Sequence, residues 1–87
     1  MGRVPLNKFM EKIKTLSELA VGESCIIDRL ATEGSMRRRL LDVGMSVGTH
    51  VTCVGESPFG DPRAYLVRGS KIAIRQIDSE GILVIGL

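Results

Sequence analysis

The chain contains few of the residues that build metal sites and disulfide frameworks. Among its 87 residues are two cysteines and one histidine. Cys25, Cys53 and His50 lack the close ligand spacing of a zinc site, so we expect no metal, two buried thiols and an exposed histidine. Two cysteines do not make a disulfide framework, and cytosolic thiols are normally reduced. These scarcities exclude a disulfide-stapled secreted domain and disfavour a metalloenzyme.

Aromatic residues and long apolar runs are also scarce. Aromatics make up 3% of the chain, too few for the platform on which single-strand nucleic-acid binders stack bases. No apolar run approaches the ~20 residues that cross a bilayer. The N-terminus lacks the apolar block of a secretion signal. The sequence therefore predicts a cytoplasmic protein that is not inserted in a membrane.

The net charge of +2 is unevenly spread. Residues 1–14 carry four basic side chains and one acidic side chain, whereas residues 15–87 carry eight basic and nine acidic side chains. A domain that is almost neutral releases few counterions from a phosphate backbone, and counterion release is the source of generic nucleic-acid affinity. We therefore expect no nucleic-acid partner.

The chain divides into a short N-terminal extension and one small domain. Within residues 1–14, apolar residues recur at the spacing of a helix: Leu6, Phe9, Met10 and Ile13. This stripe predicts a basic amphipathic segment that packs on the domain or touches a partner or a membrane surface. Residues 15–87 form the domain, since a chain of this length holds one hydrophobic core.

Residues 15–87 have a mainly β pattern. Thr15 and Glu18 have the spacing of a capping box and predict a short helix that ends near Gly22. Short apolar runs follow, either alternating or rich in β-branched residues: ESCIIDRL, THVTCVGE, RAYLVRG, SKIAIRQ and ILVIGL. Turn residues separate these runs, and closing such a sheet removes its edges. The pattern predicts a small, partly open SH3-like β-barrel of about five strands with short inserted helices.

The stretch SMRRRLLDVG carries three consecutive arginines. Ser35 suits the N-cap and Gly44 the C′ position of a helix of about two turns, which must pack on the sheet to be stable. On that helix Arg38 and Arg39 lie opposite the apolar stripe, and Asp42 lies one turn beyond Arg38. The plain interpretation is a solvated charged face. The alternative is contact with an acidic surface of a partner.

No catalytic set emerges from the sequence. The lone histidine has no nucleophile beside it, and the glycine spacing of a dinucleotide-binding loop is missing. The proline-bounded stretch SPFGDP suits a rigid turn better than a phosphate-binding loop. We therefore expect a protein without catalytic residues or cofactors, and not an enzyme.

Several of these motifs resemble the FeoA family, small cytosolic accessory proteins of bacterial and archaeal ferrous-iron uptake. The motifs are GSMRRRLLDVGMSVGT, SPFGDPRAYLVRG and KIAIRQIDSEGILV, and the resemblance runs from about Thr15 to the C-terminus. It implies an SH3-like barrel and a binding or regulatory role toward FeoB, the large membrane iron transporter with a cytosolic GTP-binding domain. The family brings no established catalytic residue or cofactor to carry over.

The resemblance also implies a set of positions that face this partner: Arg38, Arg39, Met45, Phe59, Gly60 and Asp61. Phe59 is the foremost candidate, because an aromatic at the tip of a proline-bounded turn has few ways to be buried. Its alternative is to fold back onto the barrel.

Two other functions stay open on the sequence alone. One is the SH3-like domain of a metal-dependent transcriptional regulator. The other is a GTPase activator that uses Arg37, Arg38 or Arg39. The docking site on FeoB and the oligomeric state are left undetermined.

Overall fold

The computed structural model describes residues 13–87 of the chain. Within them the strands are β1 (Ile13–Thr15), β2 (Ser24–Leu30), β3 (His50–Glu56), β4 (Arg63–Val67), β5 (Ser70–Ile74) and β6 (Ile82–Gly86). The helical segments are a 3-10 helix (Leu16–Glu18), α1 (Gly34–Asp42) and α2 (Gln76–Ser79). The predicted mainly β architecture with short inserted helices is confirmed, with one strand more than expected.

These strands form a single antiparallel sheet with the order β1-β6-β2-β3-β4-β5. Among residues 13–87, strand pairing does not close the sheet, so β1 and β5 are the edges of the described sheet. The pairing register shifts between Ile27 and Arg29 where β2 meets β6, and between Cys53 and Gly55 where β3 meets β4. Such bulges bend and twist a strand, which lets a small sheet wrap around its own core.

The first strand differs from the sequence prediction. Ile13 was expected on an amphipathic helical stripe, but it pairs with Ile85 of β6. Because β1 runs from Ile13 to Thr15, the boundary placed after Lys14 falls inside a strand. Helical periodicity over so few positions is a weak signal, and the sheet edge offered by β6 outweighs it. The other members of that stripe, Leu6, Phe9 and Met10, lie outside the described residues.

Period-two alternation places the core as predicted. Val51 and Cys53 of β3 are buried, as are Tyr65 and Val67 of β4, while His50 is exposed. Both cysteines are free thiols in the core. Leu16, Leu19 and Leu40 of α1 belong to the same buried core. The alternation therefore predicted correctly which side chains of these strands face the core.

The structure confirms some of the predicted helix ends and corrects another. The predicted capping box of Thr15 and Glu18 is present, although its helix is one 3-10 turn. The arginine helix starts at Gly34 after an extended Glu33, whose side chain makes no capping hydrogen bond. Ser35 is therefore not the N-cap, because the chain enters the helix through Gly34, whose φ of +65° suits glycine. Gly44 ends the helix at φ +97°, as predicted.

Candidate functional site

The three arginines of α1 are all exposed. The Nη1 of Arg37 donates a hydrogen bond to the backbone oxygen of Leu30 at 3.2 Å, which ties α1 to the end of β2. Within residues 13–87, Arg38 makes no ion pair with Asp42, so the helix face presents its guanidinium groups to solvent. This exposure agrees with a solvated charged face and equally with contact to an acidic surface of a partner.

A groove runs between α1 and the edge strand β5. Met36 and Leu40 of α1 pack toward Ile72 and Ile74 of β5, and Arg39 borders the opening. The empty space between these residues is about 80 Å³. α1 thus packs against apolar side chains of β5, which is an edge strand of the described sheet.

The loop between β3 and β4 carries the second group of predicted residues. The Gly60 amide donates to the backbone oxygen of Ser57 at 2.8 Å. The Asp61 carboxylate accepts a hydrogen bond at 2.9 Å from the backbone amide of Gln76, the first residue of α2. At the tip of this braced loop Phe59 is 96% exposed. The alternative in which Phe59 folds back onto the barrel is therefore wrong.

Met45 is a correction to the predicted set. We expected it to face a partner, but its side chain is completely buried in the core. After α1 the chain turns through Gly44, and the Met45 amide donates to the backbone oxygen of Leu40 at 3.0 Å. This turn directs the apolar side chain inward, where its burial is favourable by about 2 kcal/mol.

The short helix α2 lies next to both groups of candidate residues. Gln76 holds the Phe59 loop through Asp61, and Asp78 borders the groove that Arg39 lines. Between them Ile77 is 72% exposed. Sequence analysis missed Ile77, because the run of polar residues around it indicated a turn and gave no helical period.

Arg68 braces the opposite end of the molecule. It lies with Gly69 in the two-residue turn between β4 and β5, at a φ of +50°. Its Nε donates to the backbone oxygen of Gly44 at 3.2 Å and its Nη2 to Thr49 Oγ1 at 3.3 Å. An open cleft of about 510 Å³ lies beside it, lined among others by Val47. Arg68 thus fastens the end of α1 to the hairpin.

Burial lowers the acidity of two ionisable side chains of the core, Cys25 and Tyr65. Burial raises the pKa of the Cys25 thiol from 9.0 to about 11, and burial likewise raises the pKa of the Tyr65 hydroxyl. A thiol that stays protonated at neutral pH is a poor nucleophile and a poor metal ligand. In the part of the chain that the structure describes, no three His, Cys, Asp or Glu side chains meet in a metal-binding group.

Within residues 13–87, no helix combines the length and the apolar character needed to cross a bilayer.

A known protein family matches most of the chain. The model of the FeoA domain matches residues 14–85. The chain is 33% identical over 69 residues to the Fe(2+) transport protein A/Fe(2+) transporter FeoB fusion protein of Porphyromonas gingivalis. This match covers 79% of the chain and 8% of the fusion protein, so the chain spans a small part of that relative's length.

Solved structures share the fold over most of the chain. The FeoA-like protein from Clostridium acetobutylicum superimposes with a TM-score of 0.80 at 30% identity, over 87% of this chain and 88% of that one. FeoA of Stenotrophomonas maltophilia in complex with zinc, an SH3 domain protein, gives 0.72 at 27% identity, over 80% and 87%. A manganese-dependent transcriptional repressor gives 0.78 at 15% identity, over 98% and 39%, which shows a shared fold alone.

The fold is that of a small domain with an SH3-like architecture, as predicted. The chain belongs to the FeoA family, which is associated with ferrous iron transport.

Proposed function

We propose that this chain is a non-enzymatic cytoplasmic accessory protein that binds the cytosolic part of FeoB and supports ferrous-iron uptake. The observation that carries the proposal is Phe59, which is 96% exposed on a braced loop. A relative that joins a FeoA part and a FeoB part in one chain supports the choice of partner.

An exposed phenylalanine on a rigid loop is a suitable anchor for a protein interface. Burying such a side chain is favourable by about 1.5–3 kcal/mol, and aromatic anchors often dominate the energy of an interface. The hydrogen bonds of Gly60 and Asp61 hold the loop before any partner arrives. This bracing reduces the entropy that would be lost on binding.

Arg38 and Arg39 would contribute positive charge to the proposed interface with FeoB. Both are exposed on α1, and neither is used by an ion pair within the described residues. Guanidinium groups at the rim of an interface favour an acidic partner surface and speed the encounter, with a smaller effect on final affinity.

Co-purification with the cytosolic part of FeoB tests the proposal. We expect Phe59→Ala to weaken binding by roughly tenfold or more, and Arg38→Ala by a few-fold with a reduced dependence on salt. Val47→Ala is the matched apolar control, since Val47 is 71% exposed at the other end of β3. Arg29→Ala, exposed on β2, is the matched charge control. No association in any nucleotide state of FeoB would contradict the proposal.

Hydrolysis measurements separate binding from GTPase activation. If the chain only binds, the GTP hydrolysis rate of FeoB changes little, and Arg38→Ala and Arg39→Ala leave it unchanged. An arginine that enters the nucleotide site accelerates hydrolysis by about 10³-fold or more. An acceleration of that size, lost with one arginine, would replace the accessory role by an activating one.

A further inference from the structure

The edge strand β5 has unused backbone hydrogen-bonding groups. β4 and β5 are joined by the two-residue turn Arg68–Gly69, so Val67 and Ser70 form a hydrogen-bonded pair. The pattern then alternates along an antiparallel ladder. Ile72 bonds to Tyr65, whereas the amide and carbonyl groups of Lys71 and Ala73 point away from β4. Across residues 13–87, no other backbone or side-chain group bonds to them.

The groove beside this edge has both apolar and basic character. Its walls are Met36, Leu40 and Val43 from α1, with Ile72 and Ile74 from β5. Val43 is 37% exposed, so part of this apolar surface faces solvent.

The charges around the groove do not cancel. Arg39 borders the groove, and the Lys71 side chain is exposed on the strand itself. The acidic residue at the groove, Asp78, is already paired with Arg75 through an Nε–Oδ2 distance of 3.4 Å. Arg39 and Lys71 therefore leave a positive field along an open strand edge.

We propose that β5 and α1 together bind an extended acidic segment of the cytosolic part of FeoB, which adds a strand to the sheet next to β5. This inference rests on the proposed function and names the binding mode. The backbone of Lys71 and Ala73 supplies main-chain hydrogen bonds, as in other cases of strand addition. Arg39 and Lys71 select for carboxylates.

The geometry of a strand defines the segment further. Alternate side chains of an added strand point to opposite faces of the sheet. One set meets the groove wall of Met36, Leu40 and Val43, where small apolar residues fit the space of about 80 Å³. The other set lies beside Lys71, where a carboxylate is favoured. An alternating apolar and acidic sequence is therefore the expected ligand.

Charge also argues against a second copy of this chain as the occupant. Antiparallel pairing of two β5 strands would bring two Lys71 and two Arg39 side chains to one interface. Like charges in this arrangement are destabilising, and lysine on an edge strand is a common protection against such pairing.

Amide hydrogen exchange, followed by NMR on the intact chain with and without the FeoB cytosolic part, tests the binding mode. We expect the Lys71 and Ala73 amides to exchange at least about tenfold more slowly in the complex. The Ile72 amide, already bonded within the sheet, is the internal control. Binding without this protection overturns strand addition and leaves the proposed function intact, whereas no binding at all overturns both. Protection that depends on the concentration of this chain alone indicates self-pairing and overturns the proposal.

Two pairs of variants check the same mode by affinity. Ala73→Pro removes the outward amide at an edge position that tolerates proline, and we expect at least about fivefold weaker binding. Ala73→Val keeps that amide and should bind within about twofold of the parent chain. Arg39→Glu should weaken binding more than Arg29→Glu, because Arg29 is exposed on β2 and absent from the groove. Equal effects within each pair contradict the proposal.

Discussion

At the scale of single residues, Gly44 and Arg68 show how close packing decides which side chain fits. Gly44 has a φ of +97°, and a Cβ built on it would lie 2.7 Å from Arg68 Cδ. Gly48 has a similar φ of +89°, but among residues 13–87 no atom beyond its chain neighbours lies within 4 Å of its Cβ position. An alanine at either position would therefore have a strained backbone, but the alanine at position 44 would also clash with Arg68.

We predict that Gly44→Ala destabilises the protein more than Gly48→Ala. Positive φ alone costs an alanine about 1–2 kcal/mol. At position 44 the Arg68 side chain must also move and give up its bond to the Gly44 carbonyl, which adds about 1 kcal/mol. Urea unfolding of the two variants measures the difference. The difference in destabilisation between the two variants should disappear when Arg68 is also replaced by alanine. Equal destabilisation by the two variants in the parent chain would show that Arg68 moves freely.

The Cys25 thiol predicts a dependence of stability on alkaline pH. Burial raises the pKa of Cys25 from 9.0 to about 11 in the folded protein. Between these values the unfolded chain releases the proton and the folded chain keeps it. The contribution of Cys25 to the free energy of unfolding should therefore be constant well below pH 9 and fall by on the order of 2 kcal/mol as pH rises to about 11.

Cys25→Ala is the control for this effect. The variant loses the contribution of the thiol but keeps that of Tyr65, whose pKa is raised above 10.0 by burial. Its unfolding free energy should fall less steeply between pH 9 and 10 than that of the parent chain. Identical pH profiles of the two proteins would show that Cys25 is not the titrating group.

At the scale of secondary-structure elements, Asp61 connects the Phe59 loop to α2. Its carboxylate accepts the Gln76 amide at 2.9 Å, between residues 15 apart in the chain. Asp61 was predicted to face a partner, and this contact gives it a structural role that is independent of any partner. The same bond limits the motion of both elements.

We predict that Asp61→Ala destabilises the protein by about 1 kcal/mol, because a helix amide loses its acceptor. Asp61→Asn keeps an oxygen acceptor and should cost a few tenths of that amount. Thermal or urea unfolding measures both. If Asp61 acts only through the loop, Asp61→Asn also keeps the affinity for the FeoB cytosolic part. Loss of affinity with full stability would instead place the carboxylate in the interface.

At the scale of the whole molecule, the charge distribution leads to a prediction about the class of partner. The domain from residue 15 onward carries nearly equal numbers of basic and acidic side chains. Three of the six exposed arginines among residues 13–87 are consecutive on α1. A small basic patch on a neutral body suits a protein surface better than a nucleic-acid backbone.

We predict that the protein binds duplex DNA with a dissociation constant no tighter than about 10⁻⁵ M at physiological salt. Fluorescence anisotropy with a labelled duplex measures this directly, and omission of residues 1–12 separates the basic extension from the domain. Sub-micromolar binding that falls steeply with salt would contradict the prediction and revive the regulator alternative suggested by fold.

Several features of the fold could be predicted from the sequence because they depend on near neighbours. Alternation at Val51 and Cys53 and at Tyr65 and Val67 gives the buried face of the strands. Gly44 marks the end of the helix that precedes it, because its left-handed backbone suits glycine. Family motifs likewise identified the SH3-like architecture.

Other features depend on contacts between residues far apart in the chain, and only the tertiary structure decided them. β1 exists because β6 offers its edge, although the local spacing around Ile13 indicated a helix. Met45 and Phe59 are both large apolar residues near turns, yet one is fully buried and the other 96% exposed. The difference arises because Met45 lies within the packed core, whereas Phe59 lies on a loop outside it. Periodicity tells which face a side chain takes, and the fold determines whether that face is covered.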